Sequence, residues 1–143
     1  MNDPTSAPKW HVIAILIARL IFAGLFAMAA IFKFADTNGT AGYIAAVGFP
    51  FPVLLAWLAA FFEIALVLCL LTGAYFTEAA LLAAVYVLFL AFAFHGPAQW
   101  KPDDPTEFGF FVDHFTFIAG LLFAAVHGPG SVLAVRKSIL GQR

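Results

Sequence analysis

The stretch that decides the fold is residues 52–95, PVLLAWLAAFFEIALVLCLLTGAYFTEAALLAAVYVLFLAFAFH. It contains two apolar runs, at about 52–72 and 77–95, with Gly73 in the short turn between them. Each run is close to the roughly 20 residues that a helix needs to cross about 30 Å of hydrocarbon. Strands of a membrane barrel would instead show short segments of alternating polarity. The stretch therefore predicts two membrane-spanning helices that form a tight antiparallel hairpin.

Two further apolar runs flank this hairpin, at about residues 10–34 and 108–127. The first is too long for the apolar region of a signal peptide, and Arg19 would fall in its middle, so we expect an uncleaved span. After it, the segment from Thr40 to Gly48 predicts a short helix at the membrane interface. The sequence thus predicts an all-α fold, an antiparallel bundle of four transmembrane helices in a single membrane domain over residues 1–143, with this short helix between the first two spans.

The composition supports a membrane protein and excludes several other classes. Of 143 residues, 64% are hydrophobic and only 10% are charged, whereas about 25% are charged in a typical soluble domain. Lipid is therefore an expected partner, and a net charge of −1 gives no reason to expect nucleic acid. Cys69 is the single cysteine, which excludes an intramolecular disulfide and a four-cysteine iron–sulfur site. We expect no metal site and no intrinsic cofactor.

The distribution of positive charge predicts the orientation. Arg136, Lys137 and Arg143 lie in the tail and Lys9 lies before the first span, while the loop after the third span is mainly acidic. Positively charged segments stay in the cytoplasm, and an even number of spans puts both ends on one side. We therefore expect a multi-pass protein of the bacterial inner membrane with both termini in the cytoplasm.

Arg19 and Glu63 are ionisable residues inside predicted spans, where an unpaired charge costs several kcal/mol. Each lies about nine residues from the cytoplasmic end of its run, or about 13 Å deep at 1.5 Å per residue. This equal depth predicts an ion pair between them. Two interpretations stay open: the pair locks two helices together, or it lines a pocket for a quinone head group, a proton or a small solute.

A second set of polar residues falls near the other membrane face. This outer polar cluster comprises Lys33, His95, Asp113 and His114. Side chains near helix ends can simply extend to water, but a histidine beside a carboxylate can also pass protons near neutral pH. Two histidines at one depth meet the minimal condition for a b-type haem. No motif supports haem, so we do not expect it.

The order of several residues resembles a known family. The residues are Arg19, Gly24 and Lys33 in the first span, Tyr43 and Gly48-Phe49-Pro50 in the following loop, Glu63 in the second span, Gly73 after it, and Gly128-Pro129-Gly130-Ser131 after the fourth. This pattern resembles the DoxX family of small four-helix bacterial membrane proteins. In that family an acidic residue often follows the terminal serine, whereas Val132-Leu133-Ala134 follows here, so no role of that acid is carried over.

The resemblance implies where the protein acts and with which kind of partner, but not a reaction that it catalyses. Members of the family include a protein similar to the small subunit of thiosulfate–quinone oxidoreductase. We therefore expect a small membrane subunit of a quinone-linked oxidoreductase complex, which binds other subunits, can bind quinone and is not catalytic on its own. No catalytic residue is assigned. The alternatives are a structural or accessory subunit of a larger membrane assembly and, less favoured, a small-solute carrier or a b-haem protein.

Overall fold

The computed structural model describes residues 9–135 and 137–140, and these residues form a helical bundle. The helices are α1 (Lys9–Ala35), α2 (Thr37–Ala46), α3 (Pro52–Thr72), α4 (Phe76–His95) and α5 (Thr106–His127), with a 3₁₀ turn at Pro97–Gln99 after α4. All except α2 are long and apolar enough to cross a membrane. The predicted all-α bundle with four spans and one short additional helix is confirmed.

The α3–α4 hairpin depends on the residues at the two ends of α3. Pro52 is the first residue of α3, a position where the missing N–H of proline leaves no hydrogen bond unmade. Gly73 follows the last turn with φ 72°, and its N–H donates to the carbonyl of Cys69 at 2.9 Å. Glycine is favoured there because a side chain would be strained at this φ, and a Cβ would lie 3.0 Å from Cβ of Ala134. The chain therefore reverses within three residues.

The short helix α2 begins earlier than the sequence predicted. The predicted start at Thr40 is wrong by about one turn, because Asp36 supplies the N-cap. Its carboxylate accepts a hydrogen bond from the N–H of Gly39 at 2.8 Å, and the helix begins at Thr37. Buried residues of α2 pack against Ala56 of α3 and Phe94 of α4. This packing fixes α2 across one end of the bundle, which we call the α2 end.

Helix packing relies on small side chains. α1 packs most extensively against α3, and α4 against α5. Fully or almost fully buried alanines lie at these contacts, namely Ala23, Ala30, Ala56, Ala60, Ala80, Ala83 and Ala91. Small residues allow close approach of helices where no hydrophobic effect drives their association. Many large apolar side chains point outward, and in α5 the buried residues are Leu121 and Ala125 alone. The chain is thus a multi-pass membrane protein with lipid-facing outer surfaces.

The chain after α5 folds back over the α3–α4 turn. We call residues 129–135 and 137–140 the tail, and we call the end of the bundle that these residues cover the tail end. The N–H of Val135 donates to the carbonyl of Thr72 at 2.7 Å, and the N–H of Tyr75 donates to the carbonyl of Lys137 at 2.6 Å. Arg136 and Arg143, used above to predict orientation, lie outside the described residues.

Candidate functional site

Glu63 lies in the middle of α3 and is almost completely buried, with 1% of its surface exposed. Its Oε1 accepts hydrogen bonds from Nζ of Lys33 and from the hydroxyl of Tyr86, both at 2.8 Å. Its Oε2 is also buried and has no hydrogen-bond partner among the described residues. Because an unpaired charge in hydrocarbon is costly, the Lys33–Glu63 ion pair is what allows α3 to carry this carboxylate.

The predicted ion pair between Arg19 and Glu63 is wrong. Arg19 is buried and donates five hydrogen bonds of 2.7 to 3.2 Å, all to backbone carbonyls. The acceptors are Leu70 and Leu71 in α3 and Pro129, Val132 and Leu133 in the tail. The prediction assumed that α1 and α3 end at the same height in the membrane, but α1 has 27 residues and α3 has 21. Arg19 is therefore level with the last turn of α3, where the helix dipole favours a cation.

A cavity of about 700 Å³ lies at the α2 end, bounded by α2 and by parts of α1, α3, α4 and α5. We call it the α2 cavity. Its polar lining side chains are Lys33, Thr40, Tyr43, Tyr86, His95 and His114. Its aromatic walls include Phe49, Phe62 and Phe94. Three other lining residues, Phe32, Leu58 and Phe89, are 64%, 55% and 50% exposed, so the cavity is continuous with the lipid-facing surface.

Two histidines of the α2 cavity lie against each other, with ring centroids 4.9 Å apart. Nδ1 of His95 lies 2.6 Å from Oε2 of Glu107, and Nδ1 of His114 lies 2.6 Å from the carbonyl oxygen of Phe110. Because a carbonyl oxygen only accepts, Nδ1 of His114 carries the hydrogen. These contacts occupy Nδ1 of both rings, and Nε2 of a neutral ring then accepts rather than donates a hydrogen bond.

The structure gathers three members of the outer polar cluster and separates the fourth. Lys33, His95 and His114 all line the α2 cavity, whereas Asp113 is exposed on α5 and is not among the described lining residues. One step along a helix turns a side chain by about 100°, so the neighbour of His114 in sequence faces elsewhere. The carboxylate that contacts a histidine is that of Glu107, which the sequence analysis missed.

Tyr86 was also missed, although the hairpin contained a signal for it. Glu63 lies about nine residues before the end of α3, and Tyr86 lies about ten residues after the start of α4. In an antiparallel hairpin with a three-residue turn, these positions are at the same depth. A phenol opposite a buried carboxylate was therefore the expected donor.

Tyr43 adds a further hydrogen-bond donor from α2, outside the spans. Burial, and secondarily the carboxylate of Glu107, raise the pKa of the Tyr43 phenol above its usual value. The phenol therefore stays protonated, and its ring stacks on Phe94 with centroids 5.2 Å apart. The α2 cavity thus combines aromatic walls with phenol, ammonium and imidazole groups. Such a lining suits a flat, largely apolar ligand that accepts hydrogen bonds.

Comparison with known proteins gives a family. The family model described as DoxX matches residues 14–96, which is more than half of the chain. The matched range contains Arg19, Lys33 and Glu63, and it ends before the Gly128-Pro129-Gly130-Ser131 segment. The comparisons with curated proteins and with solved structures give no match. The resemblance seen in the sequence is confirmed, and this four-span membrane protein belongs to the DoxX family.

Proposed function

We propose that the chain is a small membrane subunit of a quinone-linked oxidoreductase complex and that the α2 cavity binds the quinone head group. The observation that carries this proposal is the lining of the α2 cavity, which combines aromatic walls, several hydrogen-bond donors and continuity with the lipid-facing surface. A quinone has a flat ring, two carbonyl acceptors and a lipid-soluble chain. Each of these parts has a complementary part in the cavity.

Glu63 acts in this proposal as a positioning residue. Both Lys33 and Tyr86 line the α2 cavity, and both are bound to the same oxygen of Glu63. The carboxylate therefore holds an ammonium group and a phenol at one wall, with little rotational freedom left to either. The phenol donates its only hydrogen to Glu63, so the ammonium group, which has three hydrogens, is the donor that this arrangement presents to a ligand at a smaller loss of entropy.

The proposal assigns electron transfer to and from the quinone to a partner subunit, because one cysteine cannot ligate a four-cysteine iron–sulfur cluster. It also assigns the chain to the bacterial inner membrane with both termini in the cytoplasm. Lys9 and Lys137, both at the tail end, support this orientation. The α2 cavity then lies in the half of the membrane away from the cytoplasm, and its ligand is exchanged with lipid there.

The test is purification from native membranes in mild detergent, followed by native mass spectrometry, an absorption spectrum and quantification of extracted quinone. We expect close to one quinone per chain. Tyr86→Phe, which removes one of the two hydrogen bonds that position the Glu63 carboxylate, should lower retention roughly tenfold, and Glu63→Gln should lower it further because Lys33 loses its ionic partner. Tyr75→Phe is the matched control, since Tyr75 lies at the tail end.

Three outcomes would count against the proposal. A stable partner subunit without quinone would favour the structural or accessory interpretation. Equal quinone retention in Tyr86→Phe and Tyr75→Phe would show that the quinone is bound elsewhere. A Soret band would indicate haem and overturn the expectation that the chain holds no cofactor of its own.

A further inference from the structure

A second cavity, of about 500 Å³, lies at the tail end of the bundle. We call it the tail cavity. It is bounded by the start of α1, the α3–α4 turn, the end of α5 and the tail, and its basic lining side chains are His11, His127 and Lys137. None of its described lining residues is acidic. The cavity thus has a basic lining, although the whole chain has a net charge of −1.

The lysine of the tail cavity is held in place by hydrogen bonds to its neighbours. Its own carbonyl accepts a hydrogen bond from the N–H of Tyr75, as described above. On its other side, Oε1 of Glu78 in α4 accepts hydrogen bonds from the hydroxyl of Ser138, the N–H of Ile139 and the N–H of Leu140. Hydrogen bonds to an ionised acceptor are among the stronger ones in proteins. The tail therefore brings Lys137 to the cavity as part of an ordered structure.

His127 is also oriented. Its Nδ1 lies 2.8 Å from the carbonyl oxygen of Phe123, so Nδ1 carries the hydrogen, and Nε2 can donate to an anion only in the imidazolium form. Apolar residues, among them Val12, Ile15 and Phe76, form another part of the lining. The tail cavity therefore presents basic groups beside an apolar wall, which is the arrangement that an anionic amphiphile requires.

We infer that the tail cavity binds the phosphate-bearing head group of an anionic phospholipid, with Lys137, His127 and His11 as the anion-binding side chains. The cavity lies where all four spans begin or end, and ends of membrane spans are expected at the level of lipid head groups. Basic pockets between transmembrane helices at a membrane surface are suited to such head groups. The apolar wall favours a lipid over a free phosphate ion. This site is separate from the α2 cavity at the opposite end.

The test compares lipid selection by the full-length protein in nanodiscs that contain equal amounts of phosphatidylglycerol and phosphatidylcholine. The lipids that remain bound after transfer to detergent are counted by native mass spectrometry. We expect a clear preference for phosphatidylglycerol. Lys137→Gln should reduce the preference about fivefold and His127→Gln should reduce it by less, since one basic residue near an anionic membrane contributes about 1 kcal/mol. Lys101→Gln is the matched control, because Lys101 lies in the loop before α5.

Lys137→Arg keeps the positive charge and should keep the preference for phosphatidylglycerol. This variant therefore distinguishes the loss of charge in Lys137→Gln from a loss of folding. Equal retention of the two lipids by the unmodified protein would overturn the inference. So would equal effects of Lys137→Gln and Lys101→Gln. Inorganic phosphate tests whether the cavity binds a free anion instead of a lipid. Full displacement of lipid by millimolar phosphate would show an anion site rather than a phospholipid site.

Discussion

Replacing Arg19 should detach the tail from the bundle. The side chain is 2% exposed, and each of its five N–H groups donates to a backbone carbonyl of the α3 end or the tail. A guanidinium group has five such hydrogens, so every one of them is used. Arg19→Met has a similar reach and no donor. The carbonyls that it leaves would lie in an apolar environment without partners.

The expected loss in free energy of unfolding is about 3–5 kcal/mol, more than one hydrogen bond to a charged group contributes and less than the sum of five. Single hydrogen bonds to a charged group contribute about 1.5–3 kcal/mol, but five of them on one side chain are not additive. Arg19→Lys retains the charge and three donors, and we expect an intermediate loss. Lys101→Met removes an exposed lysine and should change the free energy by less than about 0.5 kcal/mol.

The assay combines reversible unfolding in mixed detergent micelles with hydrogen exchange read by mass spectrometry. In Arg19→Met, amide protection should fall first in residues 129–135, while α4 stays protected. If Arg19→Met unfolds at the same denaturant concentration as Lys101→Met, the assigned role of Arg19 is refuted. If it stays fully folded and loses quinone, Arg19 belongs to a ligand pocket, as one interpretation of the sequence held.

The remaining predictions concern three acidic side chains. Lys33→Met should destabilise the fold by about 3–5 kcal/mol, because Glu63 stays buried without a cation; adding Glu63→Gln should restore part of the melting temperature. Glu78→Gln should speed hydrogen exchange at the end of the tail severalfold, since the amide oxygen that replaces the carboxylate carries no charge. Hydrogen bonds from the Thr106 hydroxyl and N–H hold the pKa of Asp104 below its usual value. These hydrogen bonds should stabilise the start of α5 fully above about pH 3.9, the pKa of an unperturbed aspartate. The stabilisation should be lost as the pH falls through the lower pKa of Asp104 in the folded protein. A carboxyl-carbon NMR titration of the unmodified protein and of Thr106→Ala would measure this pKa.

The four spans could be predicted from the sequence because each depends on one local property. A run of about 20 apolar residues satisfies its own backbone hydrogen bonds as a helix and needs no partner to cross lipid. The start of α2 was predicted less well because it depends on one cap. Asp36 and Thr40 are both acceptable N-cap residues, and in the structure Asp36 is the cap while Thr40 lies inside the helix.

The partners of the buried charges were harder to predict, because they depend on the relative heights of helices. Counting from the ends of apolar runs made Arg19 level with Glu63, but α1 extends farther than α3 at the tail end, and the tail supplies acceptors that no apolar pattern reveals. Depth could be used reliably only across the α3–α4 hairpin, where the short turn fixes the register. There it leads from Glu63 to Tyr86, and the structure has this contact.

Two basic residues in the interior of α1, Arg19 and Lys33, together determine how α1 packs on α3. Arg19 binds the last turn of α3 and Lys33 binds Glu63 in its middle, and the two lie about four turns apart on nearly the same face of α1. Apolar packing in lipid specifies helix register weakly, because lipid chains are as apolar as the side chains they would replace. A shift of α1 by one residue would rotate both cations away from α3 and leave Glu63 without its ion-pair partner. The same two residues therefore contribute to one wall of the α2 cavity and to the position of the tail.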